Sequence, residues 1–160
     1  MLPILKVILL SILPISELRG GIPVGLYHNL PLWEVVLVSV LANIAIILPL
    51  FFFLNYLHHI FMQIKPYKHA FNFYVEKRRH KAQKALDRYG YPGLLFFVAI
   101  PLPMTGAYTG TLIAWIFGLN QKKAFFYIAL GVIIAAIIVT LVSVLGVEAL
   151  GFLTKKINFI

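Results

Sequence analysis

Two stretches of the sequence, 35–57 and 124–145, contain no charged residue over 23 and 22 positions. About 20 mainly apolar residues are enough for an α-helix to cross the ~30 Å hydrocarbon core of a bilayer. The chain as a whole is strongly apolar, because 61% of its 160 residues are hydrophobic and only 12% are charged. A water-soluble domain of this size has too little core to bury so much apolar surface. The sequence therefore predicts an all-α integral membrane protein that crosses the cell membrane more than once.

Two other apolar regions are each broken near the middle by proline, glycine and polar residues. A helix over 2–14 reaches only ~20 Å at ~1.5 Å per residue, and the arms over 93–100 and 111–117 are shorter still. Half-length arms around a broken tip are typical of a re-entrant hairpin. Its irregular backbone is tolerated at membrane depth only where protein or a water-filled cavity surrounds it. The sequence therefore predicts a re-entrant helical hairpin before each long apolar stretch.

The two halves of the chain show the same order of features when they are compared at an offset of 87 residues. The identical pairs include Pro14 with Pro101, Leu32 with Leu119 and Ala42 with Ala129. We divide a single membrane domain into a first hairpin-plus-span repeat (1–62), a linker (63–90) and a second repeat (91–153). Because one long span separates the hairpins, the two repeats are predicted to be inverted. In transporters built this way, broken helices at matching positions mark the binding site.

The linker holds most of the basic residues of a chain whose formal net charge is +9. Its pattern predicts an amphipathic helix with Lys77, Lys81, Lys84 and Arg88 on one stripe. Basic residues beside an anionic leaflet each contribute ~1 kcal/mol of attraction, so membrane lipids are the predicted partner. A solvated face that only follows the positive-inside rule is the alternative. The linker is predicted to be cytoplasmic with both termini outside, and nucleic acid is not an expected partner.

Two motifs resemble those of a known family. They are SELRGGIPVG over 16–25 and PLPMTGAYTGTLIAWIFGL over 101–119. Together they resemble the small multidrug export protein family of prokaryotic membrane proteins. The hairpin-plus-span halves also resemble the DedA (SNARE-associated, VTT-domain) superfamily, which is linked to moving lipids between leaflets. The resemblance implies a transporter or lipid translocase for an anionic amphipathic substrate such as a polyprenyl phosphate or a phospholipid. A small-molecule exporter and a non-transporting scaffold are the alternatives.

Glu17 and Arg19 place charges in the first tip, and a charge at the membrane centre costs at least ~2.5–3.5 kcal/mol. We expect Arg19 to bind an anionic substrate head through its planar fork, with Gly20 and Gly21 leaving room for the ligand. We expect Glu17 to couple transport to protons, because desolvation raises the pKa of a carboxyl group. The alternative is that the two charges neutralise each other or cap the short helices of the hairpin.

The second tip supplies polar groups without charge. Prolines free backbone carbonyls, glycines allow a ligand to approach the backbone, hydroxyls offer hydrogen bonds, and the amides of the next helix face outward. The candidate binding residues here are Pro101, Pro103, Thr105, Gly106, Tyr108 and Thr109. Close packing of helices on the same small residues is the alternative. Asn43, inside the first long span, is a weaker candidate because a buried amide there more often joins helices.

Composition also argues against several functions. The chain has no cysteine, which excludes thiolate metal sites, and only five acidic residues. No histidine stands beside a plausible nucleophile and base. We therefore expect neither an enzyme, a cofactor nor a metal site. Two long spans leave much polar hairpin surface to cover in a bilayer, so we expect a homo-oligomer.

Overall fold

The computed structural model describes residues 2–102 and 105–157, with the backbone alone at 59, 67, 70, 74–88 and 147–157. Every regular element in these residues is a helix, which confirms the all-α prediction. The elements are α1 (Pro3–Ile12), α2 (Glu17–Tyr27), α3 (Leu32–Ala45), α4 (Ile47–Phe52), a π-helix (Phe53–Leu57), α5 (His58–Phe61), α6 (Lys65–Ala99), α7 (Ala107–Ile116) and α8 (Gln121–Ile157).

The first hairpin consists of α1 and α2, which pack against each other and against α3. α1 has a proline in its first turn, where an N–H is not needed, and its 10 residues span about 15 Å. Lys6 Nζ lies 3.3 Å from His28 Nε2. The start of α1 and the end of α2 are therefore side by side, and both arms have the half length that the sequence indicates.

The first long apolar stretch is not one continuous α-helix. α3 ends at Ala45, and α4 begins at Ile47 after a turn. Pro49 explains this break, because a proline ring clashes with the carbonyl four residues earlier, which is that of Ala45. A π-helical turn then covers Phe53–Leu57. The predicted span is thus present, but it is bent at a position that its proline dictates.

The second half begins inside α6, where Gly90 has φ +56° and ψ −131° and breaks the helix. A side chain at such a φ is unfavourable, so glycine suits this kink. The short apolar segment Tyr89–Ala99 leads to the second tip, and α7 follows. α7 starts at Ala107, four residues before the predicted arm over 111–117. Pro103 and the side chains of the basic stripe (Lys77, Lys81, Lys84, Arg88) lie outside the described residues.

α8 joins the two halves, because it contacts α2 and α3 of the first half as well as α6 and α7 of the second. One apolar core includes Val7, Ile22 and Val35 together with Val98 and Ile128, all with 0% exposure. The two hairpins therefore pack into a common core and bring their tips within reach of each other.

Two stretches are long and apolar enough to cross a membrane, Leu32–Leu57 and Gln121–Gly146, with 26 residues each. Large apolar side chains on their outer faces, such as Leu48, Ile137 and Leu145, are more than half exposed. Such faces are costly in water and are suited to lipid. Both predicted spans are thus confirmed by length and composition, whereas the re-entrant course of the hairpins and their inverted orientation stay predictions.

Candidate functional site

Arg19, in the first turn of α2, reaches across to the second tip. One terminal nitrogen, Nη1, donates to the carbonyl of Leu102. The other, Nη2, donates to the carbonyl of Thr105 and lies 3.1 Å from its hydroxyl oxygen. The acceptors follow the end of α6, where a positive charge also interacts favourably with the helix dipole. The guanidinium fork therefore binds the broken backbone of the opposite hairpin.

Glu17, the first residue of α2, points to the same tip from the other side. Its side chain is buried at 6% exposure, and Oε1 accepts a hydrogen bond from the Tyr108 backbone N–H at 3.4 Å. Tyr108 lies in the first turn of α7, where a carboxylate complements the helix dipole. The bond is long, and a carboxylate can accept about four. Glu17 is consequently a buried charge with little hydrogen bonding.

The backbone of Glu17 is unusual as well. Its φ is +49°, in the left-handed region that non-glycine residues rarely adopt. This conformation costs ~1–2 kcal/mol for a residue with a Cβ. Residues held in such conformations cluster at functional sites, so the outlier is a reason to examine the carboxylate for a function.

Gly106 completes the contact between the tips. Its φ of +153° and ψ of −161° lie in a region that is essentially restricted to glycine. A Cβ built on Gly106 would collide with the carboxylate of Glu17. Both the backbone conformation and the space beside it therefore require glycine here.

Glu17 and Arg19 do not form an ion pair with each other, since among the described residues no bond within 4 Å joins their charged groups. Each side chain instead binds the backbone of the other hairpin, Glu17 at the start of α7 and Arg19 at the end of α6. Arg19 Nε is buried, and none of the described residues offers it a hydrogen bond. The two charges still attract each other over a longer distance, so both structural alternatives, mutual neutralisation and capping of short helices, stay open.

Side chains also donate hydrogen bonds to the backbone carbonyls in the last turn of α1. The carbonyl of Leu10 accepts from the Ser16 hydroxyl, and that of Ser11 accepts from Asn43 Nδ2 at 3.0 Å. The carbonyl of Ile12 accepts from the hydroxyl of Tyr108. A helix end leaves such carbonyls unpaired, and a lipid environment cannot hydrogen-bond them. Three successive carbonyls are thus bonded by groups from the first tip, α3 and α7.

The comparison with known families adds to this geometry. A family model described as "Putative small multi-drug export protein" matches residues 17–138, from Glu17 through both tips and into α8. The chain belongs to this family. No curated protein and no solved structure matches it. Membership confirms the family resemblance, whereas the resemblance to the DedA superfamily stays a prediction. With two membrane-length apolar helices, the family name indicates a membrane protein associated with export rather than an enzyme.

The predicted site residues that the structure describes fall into two groups. Those in contact across the tips are Glu17, Arg19, Thr105, Gly106 and Tyr108. The others make different contacts. Gly20 packs against Ser16, and Gly21 packs against Ser11 and Ser39. Asn43 bonds the end of α1, Pro101 lies at the second tip, and Thr109 is buried in α7. The space beside the two glycines holds serine side chains.

A second polar network, near the carboxyl end of α7, was not among the predicted site residues. Asn55 Oδ1, in the π-helix, accepts from Trp115 Nε1 and from Gln121 Nε2, both at 3.0 Å. Beside this network lies a groove of about 430 Å³ with Phe51, Phe52, Tyr56 and Phe125 in its wall. The sequence does show that Asn55 is a polar residue within an apolar helix, but its hydrogen-bond partners lie about 60 residues away and cannot be inferred from local pattern.

Proposed function

We propose that this protein is a proton-coupled membrane exporter of small amphipathic compounds, with its transport site where the two hairpin tips meet. The observation that carries the proposal is the environment of Glu17, which is buried and accepts one long hydrogen bond from the described part of the chain. The fork of Arg19 is bound to carbonyl oxygens of the opposite tip. The charge that is available to an incoming ligand is therefore the negative one, which attracts a proton or a cationic compound.

Protonation of Glu17 would weaken the junction between the hairpins. Burial penalises the charged carboxylate, and the attraction to the first turn of α7 offsets this penalty while the tips stay together. Once neutral, the carboxyl group loses most of that attraction, so the tips can separate. A bound cation and a proton compete for one carboxylate, which links export of one to import of the other.

The aromatic groove is a place where amphipathic compounds could bind, near the carboxyl end of α7 and away from the tips. Its aromatic rings offer apolar contact, and Asn55 with Gln121 supplies amides in the same wall. Mostly apolar pockets with a few polar groups are typical of small-molecule sites. Lys122 lies at one edge of the groove.

Translocation of an anionic lipid, such as a polyprenyl phosphate or a phospholipid, is the second candidate. It is favoured by the unpartnered Nε of Arg19 and by the neutral character of the acceptors that its fork now holds. A phosphate would be a stronger partner than carbonyl oxygens. In either case a homo-oligomer would cover the polar tips, and the basic stripe on α6 would lie against anionic lipid.

The test uses purified protein in liposomes with an imposed pH gradient. Efflux of ethidium, a cationic dye, and flipping of fluorescent phosphatidylglycerol are measured in parallel. We expect dye efflux that depends on pH near neutrality in the wild type, loss of that dependence in Glu17→Gln, and its retention in Glu34→Gln, which removes a carboxylate from the start of α3. An unchanged pH profile in Glu17→Gln contradicts the coupling role.

The two transport readouts also separate the rival functions. Lipid flipping that Arg19→Gln abolishes, without dye efflux in the wild type, would replace the exporter by the lipid translocase. Absence of both activities in well-folded wild-type protein would leave a membrane scaffold.

A further inference from the structure

A cluster of polar groups lies inside the first half, where α1, α2 and α3 pack together. Ser11 is in the last turn of α1, and Ser39 and Asn43 are one turn apart on α3; all three have 0% exposure. A Cβ built on Gly21 would collide with Ser11 Oγ and would lie 3.1 Å from both Ser39 Oγ and the carbonyl oxygen of Val7. The oxygen ligands of three segments thus converge on one glycine.

Three oxygens of this cluster have no hydrogen-bond partner among the residues that the structure describes: Ser11 Oγ, Ser39 Oγ and Asn43 Oδ1. A buried serine in a helix has a partner close at hand, the carbonyl four residues earlier. Thr111 uses it, since its hydroxyl donates to the carbonyl of Ala107 at 2.6 Å. The two serines do not make the equivalent bond. Buried polar groups without partners are rare in folded proteins, so each calls for an explanation.

Packing alone does not require these oxygens. Val98 stands at the position that matches Ser11 at the 87-residue offset. Its side chain packs against Gly110 and Gly131, 2.6 and 2.8 Å from the positions that a Cβ would take on the two glycines. A valine therefore fills the corresponding place in the second half, where α6 packs against α7 and α8. The first half places hydroxyl and amide groups where an apolar residue would pack.

We infer that this cluster, formed by Ser11, Ser39, Asn43 and the carbonyl of Val7, is a binding site for a sodium ion. All its ligands are neutral oxygens, whereas calcium and magnesium sites rely on carboxylates. Among the described residues, no group of three acidic, histidine or cysteine side chains could hold a metal ion. The carboxyl end of a half-length helix carries partial negative charge and is a known position for sodium in transporters.

Sodium binding is tested with the intact protein in detergent. Thermal melts in sodium chloride and in choline chloride at equal ionic strength measure stabilisation, because an ion that binds only the folded state raises the melting temperature. Binding of radioactive sodium, with potassium as competitor, measures the site directly. We expect the wild type to melt higher in sodium and to bind the label in preference to potassium.

Ser39→Ala should lose the sodium-dependent shift and weaken label binding about tenfold or more, while it melts like the wild type in choline. Ser11→Ala should behave in the same way. The matched control is Thr140→Ala, which removes another unpartnered buried hydroxyl, on α8, and should retain the full sodium response. Equal melting of the wild type in sodium and choline, or an unchanged response in both serine variants, overturns the proposal and assigns the cluster to ordered water.

Discussion

Gly106→Ala tests whether the contact between the hairpin tips holds the two halves together. A φ of +153° with a ψ of −161° is essentially available to glycine alone, and forcing another residue into it costs ~1–3 kcal/mol. The new methyl group would also displace the Glu17 carboxylate from the Tyr108 N–H. Loss of a hydrogen bond to a charged group costs ~1.5–3 kcal/mol. The two effects together predict a loss of about 2.5–6 kcal/mol in the free energy of unfolding.

The assay is thermal unfolding in detergent, followed by circular dichroism, with urea unfolding for the free energy. A loss of this size is a large share of the ~5–15 kcal/mol that stabilises a typical protein. Gly118→Ala is the matched control, because Gly118 also has a positive φ, +61°, but no atom lies within 4 Å of its Cβ position. It should cost only the backbone strain, ~1–2 kcal/mol.

A double-mutant cycle isolates the contact with the carboxylate. In a Glu17→Ala background the methyl group at position 106 meets no carboxylate, so Gly106→Ala should cost at least ~1 kcal/mol less than in the wild type. If the cost is the same in both backgrounds, or no larger than that of Gly118→Ala, the contact between Gly106 and Glu17 does not fix the tips and the reasoning fails.

Two further predictions concern the tips and the topology. Arg19→Lys keeps the charge but cannot bind two carbonyls with one planar fork, so unfolding should become easier by ~1.5–3 kcal/mol; equal stability in the same melts would mean that charge alone suffices. Single cysteines at Ser16 and Thr105, in a chain with no other cysteine, should react with impermeant reagents from opposite sides of the membrane. A cysteine at His28 should report the same side as the N-terminus, and labelling on the opposite side would replace the first hairpin by a full crossing.

The sequence predicts the parts of this fold that depend on length and hydropathy. The two long spans and the short arms of the hairpins follow from counts of uninterrupted apolar residues. The bend before Pro49 was not predicted, although the geometry of proline explains it. The start of α7 is harder to predict from the sequence, because Tyr108 and Thr109 resemble tip residues but lie in the first turn of the helix. Polar residues near a helix start are compatible with both structures.

The sequence indicates several of the residues that meet at the tips, but it does not indicate which of them bond to each other. Glu17 and Arg19 are conspicuous because charges inside an apolar run are costly. Their proximity in sequence suggests a bond between them, yet the acceptors of Arg19 lie 83 and 86 residues away. Local pattern carries no information on such distant partners. The cluster around Gly21 was missed for the same reason, since Ser11 and Ser39 meet only after three helices pack.

The distance between Arg19 and its acceptors also has a consequence for biosynthesis. Ribosomes add ~5–20 residues per second, so roughly 4–20 seconds separate the synthesis of Arg19 from that of Thr105. During this interval the first hairpin carries two charges and the carbonyl of Ile12 without the partners that α7 and the second tip later provide. Each charge that lies in lipid without its partner costs about 2.5–3.5 kcal/mol until the second tip is made. We therefore expect the first hairpin to insert less readily when the second half is deleted.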